Sequence, residues 1–312
     1  MKSSNSTAIS LSVIISTKDR FDKLRLCVES ILHQTVLPDE VVIVDGSTEI
    51  DLRHPIEDLF REAHSDLLKY IKSLPSLTVQ NNSGIKNSIG DLITILDDDV
   101  VLDKDYILCT KDFYNNNSDL YVGALSTKII DSDTTVYKEH FSISELIGKM
   151  FLLWHTRDGK FQLSGIPTLI SPDCNELKKV DFIFGGNATY PRSILEEFQF
   201  DEHLPMGFMM SDDDLAYRIS RKYQNYWTPK TFVYHKTHYV NNDRYKKSKE
   251  FIMCHFYLKR KNHPGYLKNN AAFYWSVLGK IILETYISIK IKNLTGLNGT
   301  FSGLINVWRE KQ

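Results

Sequence analysis

The sequence predicts an α/β fold: a Rossmann-like, mostly parallel sheet followed by a helical C-terminal extension. Two β-branched runs, residues 9–16 (ISLSVIIS) and 40–44 (EVVIV), flank a stretch with apolar residues at Phe21, Leu24, Val28, Ile31 and Leu32. That is helical spacing, and strand–helix–strand over such a distance is the right-handed unit of a parallel sheet. A further buried-strand run, Leu92-Ile93-Thr94-Ile95-Leu96, ends in three consecutive carboxylates, Asp97-Asp98-Asp99. Finally, residues 273–291 are apolar but interrupted by Lys280, Glu284 and Lys290, the pattern of a helix that packs or lies at an interface.

Taken in order, residues 1–8 are polar and are expected to be flexible. The strand at 9–16 leads through the loop Thr17-Lys18-Asp19-Arg20 into a helix at 21–34, and Pro38 ends that connection before the strand at 40–44, which terminates in Asp45-Gly46-Ser47. Residues 51–73 read as helical, the helix proper starting near Pro55. Leu77-Thr78-Val79-Gln80 reads as a third short strand, with Asn82-Ser83-Gly84 turning into a brief helix and Gly90-Asp91 leading into the acidic strand. A helix at 104–115 and a strand at 120–126 complete a nucleotide-binding type of half, residues 9–126.

Periodicity weakens between 127 and 180, where 141–154 is helix-like and 159–174 loop-like. A short helix follows from Arg192, a turn at Phe200-Asp201-Glu202, a clear helix at 211–222 and a last strand at 231–234 ending in His235. The expected organisation is one domain over 9–240, its second half starting at 127, and a helical tail over 241–312.

Bulk properties narrow the function. The net charge of −1 gives no global electrostatic reason to bind nucleic acid. The four cysteines are far apart with no CxxC pair, so they suggest neither a zinc site nor a disulfide framework, and a reducing, cytoplasmic setting is expected. No signal-peptide core follows the N-terminus, and no apolar run reaches the roughly 18 residues of a membrane span.

The acidic triad carries the chemistry. Adjacent carboxylates at a buried strand end repel one another unless a positive partner neutralises them. Divalent Mg²⁺ or Mn²⁺, which prefer oxygen ligands and bridge carboxylates to phosphates, would do so. The plainer reading is a solvated acidic turn with Asp98 or Asp99 as a cap.

An ordered series of motifs decides between them: SVIIST, HQT at residues 33–35, VVIVDGS, the N-x-G-I of Asn82 to Ile85 before Gly90-Asp91, LDDD, FGGN, FDE and DDDLAYR. Over residues 9–235 this resembles the family-2 glycosyltransferases, inverting enzymes of the A-type nucleotide-diphospho-sugar fold. The resemblance implies a metal held by Asp99 and Asp97, with His235 completing the shell and His238 as its rival. It implies a nucleotide-sugar site at Ser16, Lys18, Asp45, Asp97 and Asp98, the middle carboxylate also setting the turn. It places Gly185, Gly186 and Asn187 on the acceptor side together with Asp213, and makes Asp212 the general base. Plainer roles stand beside these: Ser211 as an N-cap, Asp213 as a helix-dipole partner, and Asp214 paired with Arg218.

Two positions depart from the family pattern. Ser211 stands where an acid is usual. Asn81 stands where a cation is usual, with Lys86 as a distant substitute.

The implied reaction moves a sugar from a nucleotide-diphosphate donor, a UDP-sugar first, to a hydroxyl of a glycan or lipid-linked acceptor. Cell-surface polysaccharide synthesis is the implied setting. Trp275 and Trp308 in the tail suit attachment to the inner face of the plasma membrane. The basic and aromatic residues from Arg244 to Lys261 accompany no nucleic-acid module. One rival is a sugar nucleotidyltransferase, which should open with a glycine-rich phosphate loop that SVIISTKDR lacks. The other is an inactive nucleotide-sugar-binding module.

Overall fold

The computed structural model describes residues 9–61, 64–117, 121–131, 142–153, 158–171, 173–205, 209–235, 243–262 and 267–309, and of residues 131 and 267–269 the backbone. His238 and residues 1–8 fall outside the described residues. The first half runs β1 (Leu11–Thr17), α1 (Phe21–Leu32), β2 (Glu40–Asp45), α2 (Arg53–Phe60), β3 (Leu68–Lys72), α3 (Leu77–Asn87), β4 (Leu92–Asp97), β5 (Val100–Leu102) and α4 (Tyr106–Asn116). Next come β6 (Val122–Asp131), α5 (Ile143–Met150), β7 (Lys178–Val180), β8 (Asn187–Pro191), α6 (Arg192–Glu197), α7 (Ser211–Ser220) and β9 (Gln224–His235). Three helices close the chain: α8 (Arg244–Asn262), α9 (Leu267–Ile291) and α10 (Thr295–Arg309).

The strands form one sheet in the order β3-β2-β1-β4-β8-β6-β9-β5, with β7 also on β9. The first four are parallel, β8 runs antiparallel to both β4 and β6, and β9 lies parallel to β6. Because successive strand residues face opposite sides, β1 feeds two cores. Val13 and Ile15 pack with Leu24, Val28 and Ile31 of α1, while Ile14 packs with Val42, Val44 and Ile85 of α3 and with the cluster that includes Leu215 and Ile219 of α7. Each of these fully buried aliphatic side chains contributes about 1.5–3 kcal/mol.

Two expected elements are corrected. Residues 68–72 form an edge strand paired with β2 in the register Val41↔Leu68 to Asp45↔Lys72. LKYIK is half-buried and too short and irregular to stand out from the helical spacing upstream. Leu77 to Gln80, expected as a strand, opens α3. Thr78 and Gln80 are buried there, and Gly84 lets the helix approach so closely that a Cβ would collide with Ile14. Packing on β1 overrides the local β propensity.

The tail is tied down by a polar cluster as well as by apolar contacts. Buried Glu284 of α9 accepts from Arg244 (2.6 Å) and Ser248 (3.2 Å) of α8 and from Lys280 (2.8 Å) in its own helix. The charges that interrupt the apolar run at Lys280 and Glu284 are therefore internal ties. Gly299 and Gly303 allow α10 to lie against the α8 backbone at Tyr245 and Lys249. Trp275 stacks on Phe151 at 4.6 Å and its indole N–H donates to the Met150 carbonyl, joining α9 to α5. Among the described residues no helix is long and apolar enough to cross a membrane.

Candidate active site

Strand pairing assembles the acidic site. The β1–β4 register sets Ser16 beside Asp97, and the antiparallel pairing of Leu96 with Asn187 brings Asp97 against Gly186, whose carbonyl accepts the Asp97 N–H (3.2 Å). Immediately after the triad the chain enters β5, where Val100 pairs with His235. Asp99 therefore meets the end of β9, and its Oδ1 lies 3.3 Å from His235 Nε2. One ligand atom from each of Asp97, Asp99 and His235 falls within 4.8 Å of the others. Two carboxylates and an imidazole at this spacing suit a hard or borderline divalent cation.

The electrostatics favour such an ion. Burial, with Asp212 and Asp99 close by, pushes the Asp97 pKa up to about 6. Asp99 behaves oppositely: burial alone would raise its pKa, but His235 and Lys23 overcome that and hold it at about 2. Asp98 points away from this trio. It is fully buried, takes Arg20 through Nη2 (2.6 Å) and Nε (3.1 Å), and accepts the Thr17 hydroxyl (2.7 Å). These contacts with Arg20 and Thr17 make Asp98 an anchor of the turn.

Asp212 enters from α7. Its carboxylate lies over Gly185 and accepts a backbone hydrogen bond from it, and burial together with the neighbouring Asp213 pushes its pKa up to about 7. The paired glycines are explained by these contacts. A Cβ at Gly185 would collide with the Asp212 carboxylate, and one at Gly186 with that of Asp97. They make room for the two carboxylates.

Asn187 is likewise turned inward. It is fully buried, and its amide accepts from Thr127 N–H (2.9 Å) and donates to Thr127 C=O (3.2 Å), beside the β6–β9 register shift. Gly185, Gly186 and Asn187, expected on the acceptor side, thus support the wall of the crevice.

Other expectations on α7 divide. Ser211 is not the N-cap. Met210 holds that position in the left-handed region (φ 63°), and the buried Ser211 hydroxyl has no hydrogen-bond partner. Asp214 pairs with Arg218 as expected (2.9 Å) and also receives Lys261 (2.9 Å) and Asn262 (3.1 Å), fixing α8 to α7. Asp213 is raised to about 7 by burial and borders a small crevice with Phe161, Tyr217 and Asn262.

On the nucleotide side, Lys18 is exposed on the loop after β1. Ser16 is buried and donates to Asn81 Oδ1 (2.7 Å), which tethers α3 to the end of β1. Asp45 is fully buried as well. It accepts the Ser47 N–H (2.7 Å), the Tyr70 hydroxyl (2.6 Å) and the Lys72 ammonium (2.9 Å). Burial would raise its pKa, but these bonds hold it below the usual carboxylate value. Beside it opens a cleft of about 490 Å³ lined by Ser47, Asp51, Arg53, Tyr70 and Lys72, with the Arg53 guanidinium 4.6 Å over the Tyr70 ring.

Tyr70 and Lys72 escape a sequence reading that makes 51–73 helical, and no clear two-residue pattern in LKYIK marks them. Asp19 escapes it too. In the left-handed region (φ 52°), it accepts from Thr48 and Glu49 N–H (3.2 and 3.1 Å) and clamps the two loops that flank the cleft.

Comparison with known proteins agrees with this geometry. Over 112 residues the chain is 30% identical to the glucosyl-dolichyl phosphate glucuronosyltransferase of Haloferax volcanii, a match spanning 35% of each chain. It is 32% identical over 98 residues to glycosyltransferase GlyA of Streptococcus pneumoniae, covering 31% of this chain and 14% of GlyA. The chain thus spans about a third or less of the curated relatives it matches.

Among solved structures, the mannosyltransferase PcManGT of Pyrobaculum calidifontis, in complex with GDP-Man and Mn²⁺, superposes with a TM-score of 0.60 at 14% identity, over 98% of this chain and 89% of that one. GalNAc-T7 with UDP, GalNAc and Mn²⁺ gives 0.62 at 13% identity, over 91% and 52%. These likenesses establish the A-type glycosyltransferase fold. The model of glycosyl transferase family 2 matches residues 12–198, more than half of the chain, and the protein belongs to that family.

Proposed function

We propose that the protein transfers a sugar from a nucleotide-diphosphate donor to an acceptor hydroxyl in one in-line displacement that inverts the anomeric centre, with Asp212 as the general base. The observation that carries this reading is the position of Asp212. Its carboxylate sits on Gly185 while that of Asp97 sits on the adjacent Gly186, and its pKa of about 7 suits a base working near neutrality. Asp97, Asp99 and His235 would hold Mn²⁺ or Mg²⁺, which when bound supplies Lewis-acid stabilisation of the diphosphate leaving group. The cleft beside Asp45 would receive the nucleoside, with Lys18 at its loop, Lys72 presenting its remaining N–H donors and the Tyr70 ring and hydroxyl oxygen lining the cleft. A UDP-sugar is the first donor to test.

For the acceptor we propose a glycan or lipid-linked sugar, bound past Asp213, in cell-surface polysaccharide assembly at the inner face of the plasma membrane. The lipid-linked substrate in the archaeal relative's name favours this, as do two exposed apolar stripes at helical spacing. These are Ile143, Leu146 and Met150 on α5, and Phe301, Ile305 and Trp308 on α10.

Slow donor hydrolysis, with water in the acceptor's place, tests the chemistry before any acceptor is known. An α-linked nucleotide sugar should release the β-anomer first, as followed by NMR. Asp212→Asn should slow the release about 10²- to 10⁴-fold. Initial release of the α-anomer would overturn inversion, and full activity in Asp212→Asn would overturn the base.

A further inference from the structure

Among the described residues, the cations in ion pairs with the acidic triad come from α1 and β9: Arg20, Lys23 and His235. They are not equivalent. Arg20 is committed to buried Asp98 by two of its nitrogens and approaches Asp99 only at 3.7 Å. His235 belongs to the trio that would coordinate an ion. Lys23 contacts Asp99 Oδ2 at 3.1 Å, and its side chain is 29% exposed, so it sits beside the crevice within reach of solvent. A lysine is a mobile point charge on a four-carbon stem, able to change partners within a few ångströms.

Charge balance says what that partner is. Asp97 and Asp99 carry two negative charges, which one divalent ion cancels. The diphosphate of a nucleotide sugar brings two more, and it has to lie against the same ion. An ion on Asp99 weakens that carboxylate's hold on Lys23 just as the uncompensated phosphate oxygens arrive beside it. Neither Asn81, buried against Ser16, nor Lys86, exposed in the last turn of α3, pairs with the triad.

We propose that Lys23 is a donor-diphosphate ligand: its ammonium passes from Asp99 to the diphosphate when a divalent cation takes the carboxylate. This rests on the donor site proposed above.

Calorimetric titration of wild type and Lys23→Met with Mn²⁺ alone, and with UDP and GDP in the presence of Mn²⁺, tests it without any need for activity. The nucleoside diphosphate that binds wild type should bind Lys23→Met about 10- to 100-fold more weakly, the worth of one charge-assisted hydrogen bond. Binding of Mn²⁺ alone should be unchanged or tighter, because a competitor for Asp99 has gone. Lys23→Gln should show the same loss, and Lys23→Arg should recover most of the affinity.

Undiminished diphosphate binding in Lys23→Met and Lys23→Gln would overturn the proposal. So would an equal loss of Mn²⁺ binding, which would make Lys23 a support of the metal site. If wild type with Mn²⁺ binds neither diphosphate, the donor site itself fails, a result distinct from either of those.

Discussion

The two walls of the crevice are made differently. On the β1–β5 side, Asp45 and Asp97 end buried parallel strands and Asp99 lies in the turn into β5, so backbone pairing sets where all three stand. On the β8–α7 side, Asp212 stands on a helix that starts from a left-handed Met210 and is seated by the absence of a side chain at Gly185. The first wall is positioned by strand register, the second by close packing. The two walls meet at the paired glycines, where the Asp97 carboxylate rests on Gly186 and that of Asp212 on Gly185, and close packing leaves neither any slack.

That difference is open to attack at the glycines. Gly186→Ala would drive a methyl group into the Asp97 carboxylate, and Gly185→Ala one into Asp212, without touching the strand pairing. A displacement of about 1 Å in a reacting group costs on the order of 100-fold in rate. Each variant should therefore lose about that much donor hydrolysis, while overpacking costs about 1–3 kcal/mol of stability. Steady-state rates set beside thermal denaturation check both. Near-normal rates would mean that the second wall yields as easily as the first.

Acid titration sharpens the same contrast. Asp97 and Asp212 have folded-state values of about 6 and 7, above that of an unfolded aspartate. Between about pH 4 and 7 the folded chain thus binds more protons than the unfolded chain, so these two groups make metal-free stability fall as pH rises. Asp99, at about 2, contributes in the other direction: its stabilisation is present above pH 4 and is lost as pH falls toward 2. A cation competes with the protons on Asp97, so the increase in Tm caused by Mn²⁺ should grow from pH 5 to pH 8 and vanish in Asp99→Ala. A pH-independent increase would separate Asp97 from the ion.

Legibility in the sequence follows the same division. β1, β2 and β4 are mostly apolar runs, and the three charges after LITIL stand out at the end of one of them, although only the ordered motifs separate a metal site from a solvated acidic turn. What the sequence does not reveal is which way each side chain turns. Asp97, Asp98 and Asp99 are chemically identical in the string, yet Asp98 is buried under Arg20 while its neighbours line the crevice, a distinction made by the turn into β5. Asn187 sits in a motif that suggests ligand contact and instead closes a bulge in β6. Tyr70 and Lys72 are lost because a half-buried edge strand gives a short, weak signal after a helix. Contacts between distant segments, such as Gly84 on Ile14, leave no local trace at all.

The smallest expected effect concerns the apolar stripes away from the crevice. α5 and α9 are locked together by the Phe151–Trp275 stack and by the Trp275 indole N–H on the Met150 carbonyl, and Ser142 caps α5 by accepting the Glu145 N–H, so Leu146 and Met150 are exposed on an ordered helix. Exposed apolar residues gathered on one face mark interaction surfaces. If that surface is the inner leaflet, replacing Leu146 and Met150 by Glu removes apolar contact and adds repulsion from anionic lipid, so co-sedimentation with anionic vesicles should fall several-fold. Hydrolysis of a soluble donor should stay at the wild-type rate, because neither residue belongs to the crevice. Equal vesicle binding by the double variant would move membrane contact to the Phe301, Ile305 and Trp308 face of α10. A parallel loss of hydrolysis would instead show that α5 supports the acceptor wall, making that wall larger than α7 and β8 alone.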